Sequence, residues 1–362
     1  MHFLIVKLSS IGDVVHTLPA VAALRQAYPK ERITWVVERS ASAILLDNPI
    51  VDELIIIDTR RWRKKFWQVL IIKEFISSIK TLRKNPVDIA FDFQGLLKSA
   101  SIAKFSGSNK ILGFSNNGLR EKASRLFLTE QIEVNDQRHV IEKNLQLLTN
   151  LGITTKQPFQ FPIFVPKADE LYIDNLQEKL GITDFAIINP GGGWPTKLWS
   201  AEKFGQMADW LWENYKLPSL VTFGPGEENL AQRVIKASRS GHCYSVTTNL
   251  KQFVALARRA TLFLGGDTGP LHLAAACQTP IVGIYGPTEP KRNGPFDKAD
   301  LTVGLEDLAC RVNCYRRRCP TNNECMDISL NTVAEAIEKR LSKTKLWQIG
   351  TYRKSHAARV SL

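Results

Sequence analysis

The stretch TLFLGGDTGPLHLAAACQTPIVGIYGP, residues 261–287, leaves this chain few folds to choose from. Thr261 to Gly265 is an apolar run of strand length, broken by Gly265-Gly266. Asp267-Thr268-Gly269 opens a helix with Pro270 in its first turn and Leu271 and Leu273 to Ala276 inside it. Pro280 starts a second apolar run, Ile281 to Tyr285, which Gly286-Pro287 ends. Strand, glycine turn, helix, strand is half of a nucleotide-binding α/β unit. The first N–H groups of such a helix lack partners within it, and glycine lets a phosphate come close to them. A plain strand-to-helix turn uses the same glycines. His272, beside Asp267 and Thr268 at the helix mouth, is read as a ligand contact rather than a packed core histidine.

The N-terminal half begins the same way. Phe3 to Val6 is a short apolar strand, and the loop Lys7 to Asp13 (KLSSIGD) leads into a helix with Val14, Val15, Leu18, Val21 and Leu24 apolar. Ile33 to Val37 and Leu54 to Ile57 are the next strands, with a helical segment, Ala41 to Leu46, between them. Such a βαβαβ start predicts a parallel sheet with ligands at the carboxyl ends of its strands. Asp13 then has two readings. Its residue type favours a helix N-cap, and its place at a strand end suits a general base taking a proton from an attacking hydroxyl. TRRWRKKFW, residues 59–67, follows the third strand and interleaves Arg60, Arg61, Arg63, Lys64 and Lys65 with aromatics. A basic run is usually a solvated face, but arginine forks also match carboxylate and phosphate oxygens. Further on come a helix over 69–82, a strand over 88–93, a helix over 96–105, a strand over 111–114 and a helix over 138–150. Arg120 falls in a loop-to-helix stretch, and 155–168 reads as a linker.

The second half repeats the architecture. The strand Phe185 to Asn189 ends in PGGGWPTK, residues 190–197, where Gly192, Gly193 and Lys197 suggest a phosphate cradle with a point charge. This is not a Walker A loop, which places Lys-Ser/Thr directly after its glycine. Leu220 to Phe223 ends in GPGEE, where Glu227 or Glu228 suits a ribose hydroxyl pair. The pattern predicts a nucleotide on the C-terminal half and the other substrate on the N-terminal half.

At 362 residues two domains are expected. Lys and Arg outnumber Asp and Glu by 48 to 35, a net charge of +13, which points to an anionic partner. The sequence shows no signal peptide and no apolar run of membrane-spanning length. Six cysteines, four of them late (Cys310, Cys314, Cys319 and Cys325), fit a reducing cytoplasm rather than a disulfide framework.

VKLSSIGDVVHTLPA, TRRWRKKFW, NPGGGWPTKLWS and GGDTGPLHLAAA…GIYGPTEP, in that order, together resemble glycosyltransferase family 9, most closely its heptosyltransferase I group. The resemblance runs from residue 3 to about residue 330. It implies an α/β GT-B fold, two Rossmann-like domains facing across a cleft. Residues 1–165 would bind the acceptor and 166–330 the nucleotide sugar, with 331–362 a helix and basic tail returning to the first domain. The implied reaction is a metal-independent, cofactor-free, inverting transfer of heptose from ADP-heptose to Kdo on lipid A. The enzyme would be cytoplasmic and peripheral on the inner membrane, with no nucleic-acid partner. The resemblance makes Asp13 the general base, against the capping preference, and has Lys197 steady the departing diphosphate. It assigns Gly192, Gly193, Glu227, Thr248, Asp267, Thr268, Gly269, Pro270 and His272 to the donor. The loop residues Ser9, Ser10 and Gly12, with Arg60, Arg63, Lys64 and Arg120, would hold the acceptor.

Relatives in that group carry hydroxyl residues before the loop lysine. Gly192 and Gly193 stand there here, so only backbone N–H contacts are expected. The four late cysteines are read as free thiols or a local disulfide ahead of a zinc site, and Arg316-Arg317-Arg318 as facing the acceptor or the membrane. The competing readings are a transferase for later heptoses or another nucleotide sugar, an NAD-dependent oxidoreductase, and a basic nucleic-acid-binding protein. The oxidoreductase lacks support because no G-x-G-x-x-G follows the first strand.

Overall fold

The computed structural model describes residues 1–343 except residues 60, 62–68, 156, 307, 309, 311–313, 315 and 321–322. Arg60, Arg63 and Lys64, expected to hold the acceptor, therefore lie outside the described residues. The chain divides into two compact units, Met1–Phe164 and the remainder from Val165 onward.

In the first unit the strands are β1 (His2–Val6), β2 (Arg32–Glu38), β3 (Glu53–Ile57), β4 (Ile89–Asp92), β5 (Lys110–Phe114) and β6 (Glu130–Ile132). They form one parallel sheet in the order β3-β2-β1-β4-β5-β6. β1 is buried along its whole length, as its unbroken apolar run requires of a strand covered on both faces. Leu4, Val6, Val36, Ala90 and Ile111 from the strands pack with Leu82 and Ala103 from covering helices. The single helix expected after β1 is two pieces, Ile11–Val15 and Leu18–Ala27, the second with Pro19 in its first turn. Proline is tolerated there because that N–H has no partner within the helix.

The second unit holds β7 (Ala186–Asn189), β8 (Ser219–Thr222), β9 (Cys243–Val246), β10 (Leu262–Gly266), β11 (Ile281–Ile284) and β12 (Leu301–Val303). Their order, β12-β11-β10-β7-β8-β9, is the same winding again, also parallel. Gly265 and Gly266, expected to break their strand, are its last two residues. A Cβ on Gly265 would stand 2.8 Å from the Asn189 carbonyl oxygen on the neighbouring strand, so glycine is what lets β10 and β7 pair. The helix Leu330–Leu341, expected to return to the first domain, packs over its described length on the second unit. There Val333, Ala336, Ile337 and Leu341 join the core under β10 and β11. Residues 155–168, expected as a linker, already include the start of the helix Lys167–Leu180.

Each sheet reverses its winding beside its first strand, between β1 and β4 and between β7 and β10. Loops leaving the carboxyl ends of such a strand pair diverge to opposite faces and open a ligand crevice. The segments that follow β1 and β4, bearing Asp13 and Gln94, flank one such point, and those that follow β7 and β10, bearing Lys197 and Asp267, flank the other.

Candidate active site

In the first unit the loop after β1 is pinned from both sides. The Gln94 Oε1 accepts from the N–H of Leu8 (3.0 Å) and of Ser9 (3.3 Å), and the Leu8 carbonyl accepts from Glu38 N–H. Buried Lys7 donates from Nζ to the Phe93 carbonyl at 2.7 Å. Beneath them Asp92, fully buried, accepts through Oδ1 from the N–H of Gln94 and Gly95. Burial pushes the Asp92 carboxyl above its ordinary pKa.

Asp13 stands in the third position of the short helix, not at its cap. Its Oδ2 accepts from Ser10 N–H at 3.0 Å and from Ser10 Oγ at 3.1 Å, and so serves as the returning half of a capping box. Its Oδ1 accepts from Arg120 Nη2 at 3.3 Å. The capping and functional readings thus apply to different oxygens of one carboxylate. Burial would raise the Asp13 pKa, but the cations of Lys7 and Arg120, the Ser10 N–H and His16 together hold it well below the carboxylate range. Of the expected acceptor residues, Ser10 and Arg120 meet Asp13, Ser9 is tied to Gln94, and Gly12 is buried inside the helix.

In the second unit Lys197 ends the turn Pro195–Lys197 and reaches Asp267 Oδ2 at 2.6 Å, with its Nζ 4.7 Å from the centre of the Trp194 ring. Asp267 is almost enclosed. Thr288 Oγ1 donates to Oδ2 at 2.8 Å, Asn293 Nδ2 to Oδ1 at 2.9 Å, and His272 Nε2 stands 3.3 Å from Oδ1. Burial opposes its ionisation, but His272 and Lys197 prevail and hold the carboxyl far below its ordinary pKa. Thr268 stands at the N-cap position of the helix Gly269–Ala276 without a side-chain capping bond, and Pro270 lies in the first turn, as expected. Among the described residues the buried hydroxyls of Thr268 and Tyr285 have no hydrogen-bond partner.

Glu227 and Gly192 are committed to each other. Glu227 Oε1 accepts from Gly192 N–H at 3.1 Å and Oε2 from Gly224 N–H at 2.8 Å, which ties the glycine loop to the loop after β8. A Cβ on Gly191 would lie 2.3 Å from that carboxylate, so the tie requires glycine there. The Gly192 N–H expected to face the donor is therefore used, whereas Gly193 has nothing within 4 Å of where a Cβ would sit. Glu228 caps more locally, accepting from Gly226 N–H. Thr248 lies past the carboxyl end of edge strand β9. Arg317 and Arg318 line a cavity of about 630 Å³ with Pro195, Thr196, Cys319 and Asn323, beside the lysine turn. Among the described residues no disulfide is present, and no cluster of His, Cys, Asp or Glu is arranged to hold a metal. Sequence reasoning missed Lys7 and Gln94, and also Thr288, Asn293 and Tyr285. These last three follow Asp267 by 18 to 26 residues, a spacing with no local signature.

Set beside known proteins, residues 75–323 match the family model for glycosyltransferase family 9 (heptosyltransferase). The chain belongs to that family. It is 29% identical over 324 residues to lipopolysaccharide heptosyltransferase 1 of Pseudomonas aeruginosa, covering 88% of this chain and 87% of the relative. It is 28% identical over 291 residues to lipopolysaccharide heptosyltransferase 3 of Escherichia coli K12, covering 77% and 80%. The structure of E. coli heptosyltransferase WaaC with ADP-2-deoxy-2-fluoro heptose superposes with a TM-score of 0.75 at 26% identity, covering 94% of this chain and 99% of that one. The fold is accordingly GT-B and the protein a glycosyltransferase, which sets aside the oxidoreductase and nucleic-acid readings. Among the described residues no helix is long and apolar enough to cross a membrane.

Proposed function

We propose that this family 9 glycosyltransferase moves heptose from ADP-heptose to a Kdo sugar of the lipopolysaccharide inner core, with inversion. In this reading the second unit holds the donor. Lys197 leaves Asp267 for the diphosphate, the mouth of the helix Gly269–Ala276 takes phosphate oxygens through its N–H groups and Thr268, and His272 and Asp267 lie near the heptose. Glu227 keeps lone pairs for a ribose hydroxyl beyond its two backbone bonds, and Thr248 sits nearest the base. The first unit holds the acceptor through Ser9, Ser10, Arg60, Arg63, Lys64 and Arg120, at the inner face of the inner membrane.

The acceptor hydroxyl attacks the anomeric carbon from the face opposite ADP. Its proton passes to Asp13 Oδ1 as the bond from carbon to the β-phosphate oxygen breaks, and Lys197 meets the charge left on ADP. The observation that carries this reading is the Asp13 carboxylate, aimed by Ser10 through one oxygen while the other meets only Arg120 among the described residues.

The similarity to heptosyltransferase 3 favours a second reading, in which the same donor serves an acceptor further out in the core. The two separate in one experiment. ADP-heptose is offered with acceptors ending in Kdo or in heptose, and the new linkage is read by NMR. Transfer to Kdo with inverted anomeric configuration supports the first reading. Transfer only to heptose supports the second, and retention of configuration removes the direct displacement.

A further inference from the structure

We infer that Arg120 is a latch on Asp13: its guanidinium covers the reactive carboxylate oxygen until an oxyanion of the bound acceptor draws it away. The inference rests on the reading of Asp13 as the base.

The two ends of the contact are built differently. Asp13 is held independently of Arg120, because Ser10 fixes Oδ2 with both its N–H and its hydroxyl. Removing Arg120 therefore uncovers Oδ1 without releasing the carboxylate. Arg120 is anchored at its root, where its N–H and that of Glu121 both donate to the Gly95 carbonyl at 3.1 Å. Glu121 in turn accepts from Leu97 N–H at 2.7 Å. Gly95 takes φ +69°, a left-handed conformation that favours glycine, where it offers that carbonyl. The side chain beyond this fixed root is 45% exposed, and its guanidinium meets Asp13 through one nitrogen at a long 3.3 Å. A fork with five donors that uses one of them among the described residues is poorly satisfied, and a carboxylate or phosphate oxygen pair matches it better.

The other groups acting on Asp13 stay in place when the fork leaves. They are Lys7 at the end of β1, held on the Phe93 carbonyl, and His16 one turn on in the Asp13 helix segment. Lys7 acts on the buried Asp92 as well. Losing one of two nearby cations makes Oδ1 a stronger proton acceptor at the moment an acceptor hydroxyl is present. Before that moment a covered carboxylate is a poor activator of water. With water as nucleophile, its oxygen would bond to the anomeric carbon, its proton would go to Asp13, and ADP would leave with the donor wasted. The latch suppresses that side reaction and makes base activity depend on an anionic acceptor.

The test uses the full chain with Arg120→Gln and Arg120→Lys, circular dichroism confirming that both fold. In Arg120→Gln, release of ADP from ADP-heptose without acceptor should rise about tenfold, a fraction of what a free general base supplies. Transfer to a carboxylated acceptor should fall about 30-fold, the loss of one charged hydrogen-bonding partner, and become indifferent to converting that carboxylate to its amide. Arg120→Lys, which keeps a cation over Oδ1, should hold acceptor-free hydrolysis at the wild-type level. Adding Asp13→Asn to Arg120→Gln should return hydrolysis to background. Unchanged hydrolysis in Arg120→Gln, with only the acceptor KM raised, would make Arg120 a plain acceptor clamp and overturn the latch. Full transfer in Asp13→Asn alone would instead overturn the base assignment beneath it.

Discussion

Asp13 and Asp267 are the same side chain at comparable places, each in the segment that follows a strand beside the reversal point of its sheet (Asp13 in a first helical turn, Asp267 just before one), yet their surroundings use them in opposite ways. Asp267 is saturated. Lys197 and Thr288 occupy one oxygen, Asn293 and His272 the other, and its side chain is 5% exposed. Asp13 is 18% exposed, gives one oxygen to Ser10, and leaves the other to a long contact with a half-exposed arginine. A carboxylate with every lone pair engaged places its neighbours, and one with an oxygen in reserve can receive a proton. The difference separates a positioning aspartate from a reacting one.

The largest expected break in that comparison is in stability. Asp267→Ala leaves the Lys197 cation nearly buried without its partner and should cost about 3–5 kcal/mol, measured by denaturant melts. Asp13→Ala loses the capping-box bonds from Ser10 and a half-exposed contact with Arg120, and should cost about 1–2 kcal/mol. Similar losses at both positions would erase the distinction. The pH dependence follows in sign. Because the Asp267 carboxyl is held below its ordinary value of 3.8, its stabilisation is complete above that value and disappears as the pH falls below it. Asp267→Asn should remove this acid sensitivity.

Next in size is Lys197→Met, which withdraws the charge proposed to meet the leaving diphosphate and should lower kcat by about 10²–10³. Thr288→Val and Asn293→Ala each remove one hydrogen bond from Asp267. Each should cost about 1 kcal/mol and lower turnover several-fold through a displaced Lys197, with ADP affinity falling in parallel. If either variant instead affects only the acceptor KM, Asp267 does more than hold the lysine. The smallest effect is expected from Ser10→Ala, which keeps the backbone N–H on Oδ2 and loses the hydroxyl. A drop in kcat of about threefold to tenfold, with donor affinity unchanged, corresponds to one exposed hydrogen bond to the carboxylate, with the backbone N–H still in place.

The parts of this molecule that were legible in the sequence are those where local chemistry decides. β1, β7 and β10 are continuous apolar runs ended by glycine or a polar loop, and the helix opened by Thr268 and Pro270 carries its own start signal. Edge strands β6 and β12 were not legible, because three residues are too few to show a period. The same limit governs the site. Asp13, Lys197 and Asp267 announce themselves by glycines and strand ends, but Thr288 and Asn293 reach Asp267 only because β11 returns the chain beside β10. Glu227 was found for its position, yet its bonds to Gly192 and Gly224 depend on two separate loops meeting. Which oxygen of Asp13 is spent on Ser10 and which faces Arg120 is likewise a matter of tertiary placement, which residue type alone does not encode.

The central claim is that Asp13 supplies the base and does not hold the donor. It is tested most directly by measuring, on one preparation of Asp13→Asn, both the rate of heptose transfer from ADP-heptose and the Kd for ADP by calorimetry. The account predicts a transfer rate lower by about 10²–10⁴ with the ADP Kd within about twofold of the wild type. A transfer rate near that of the wild type, or an ADP Kd that collapses together with the rate, would contradict it.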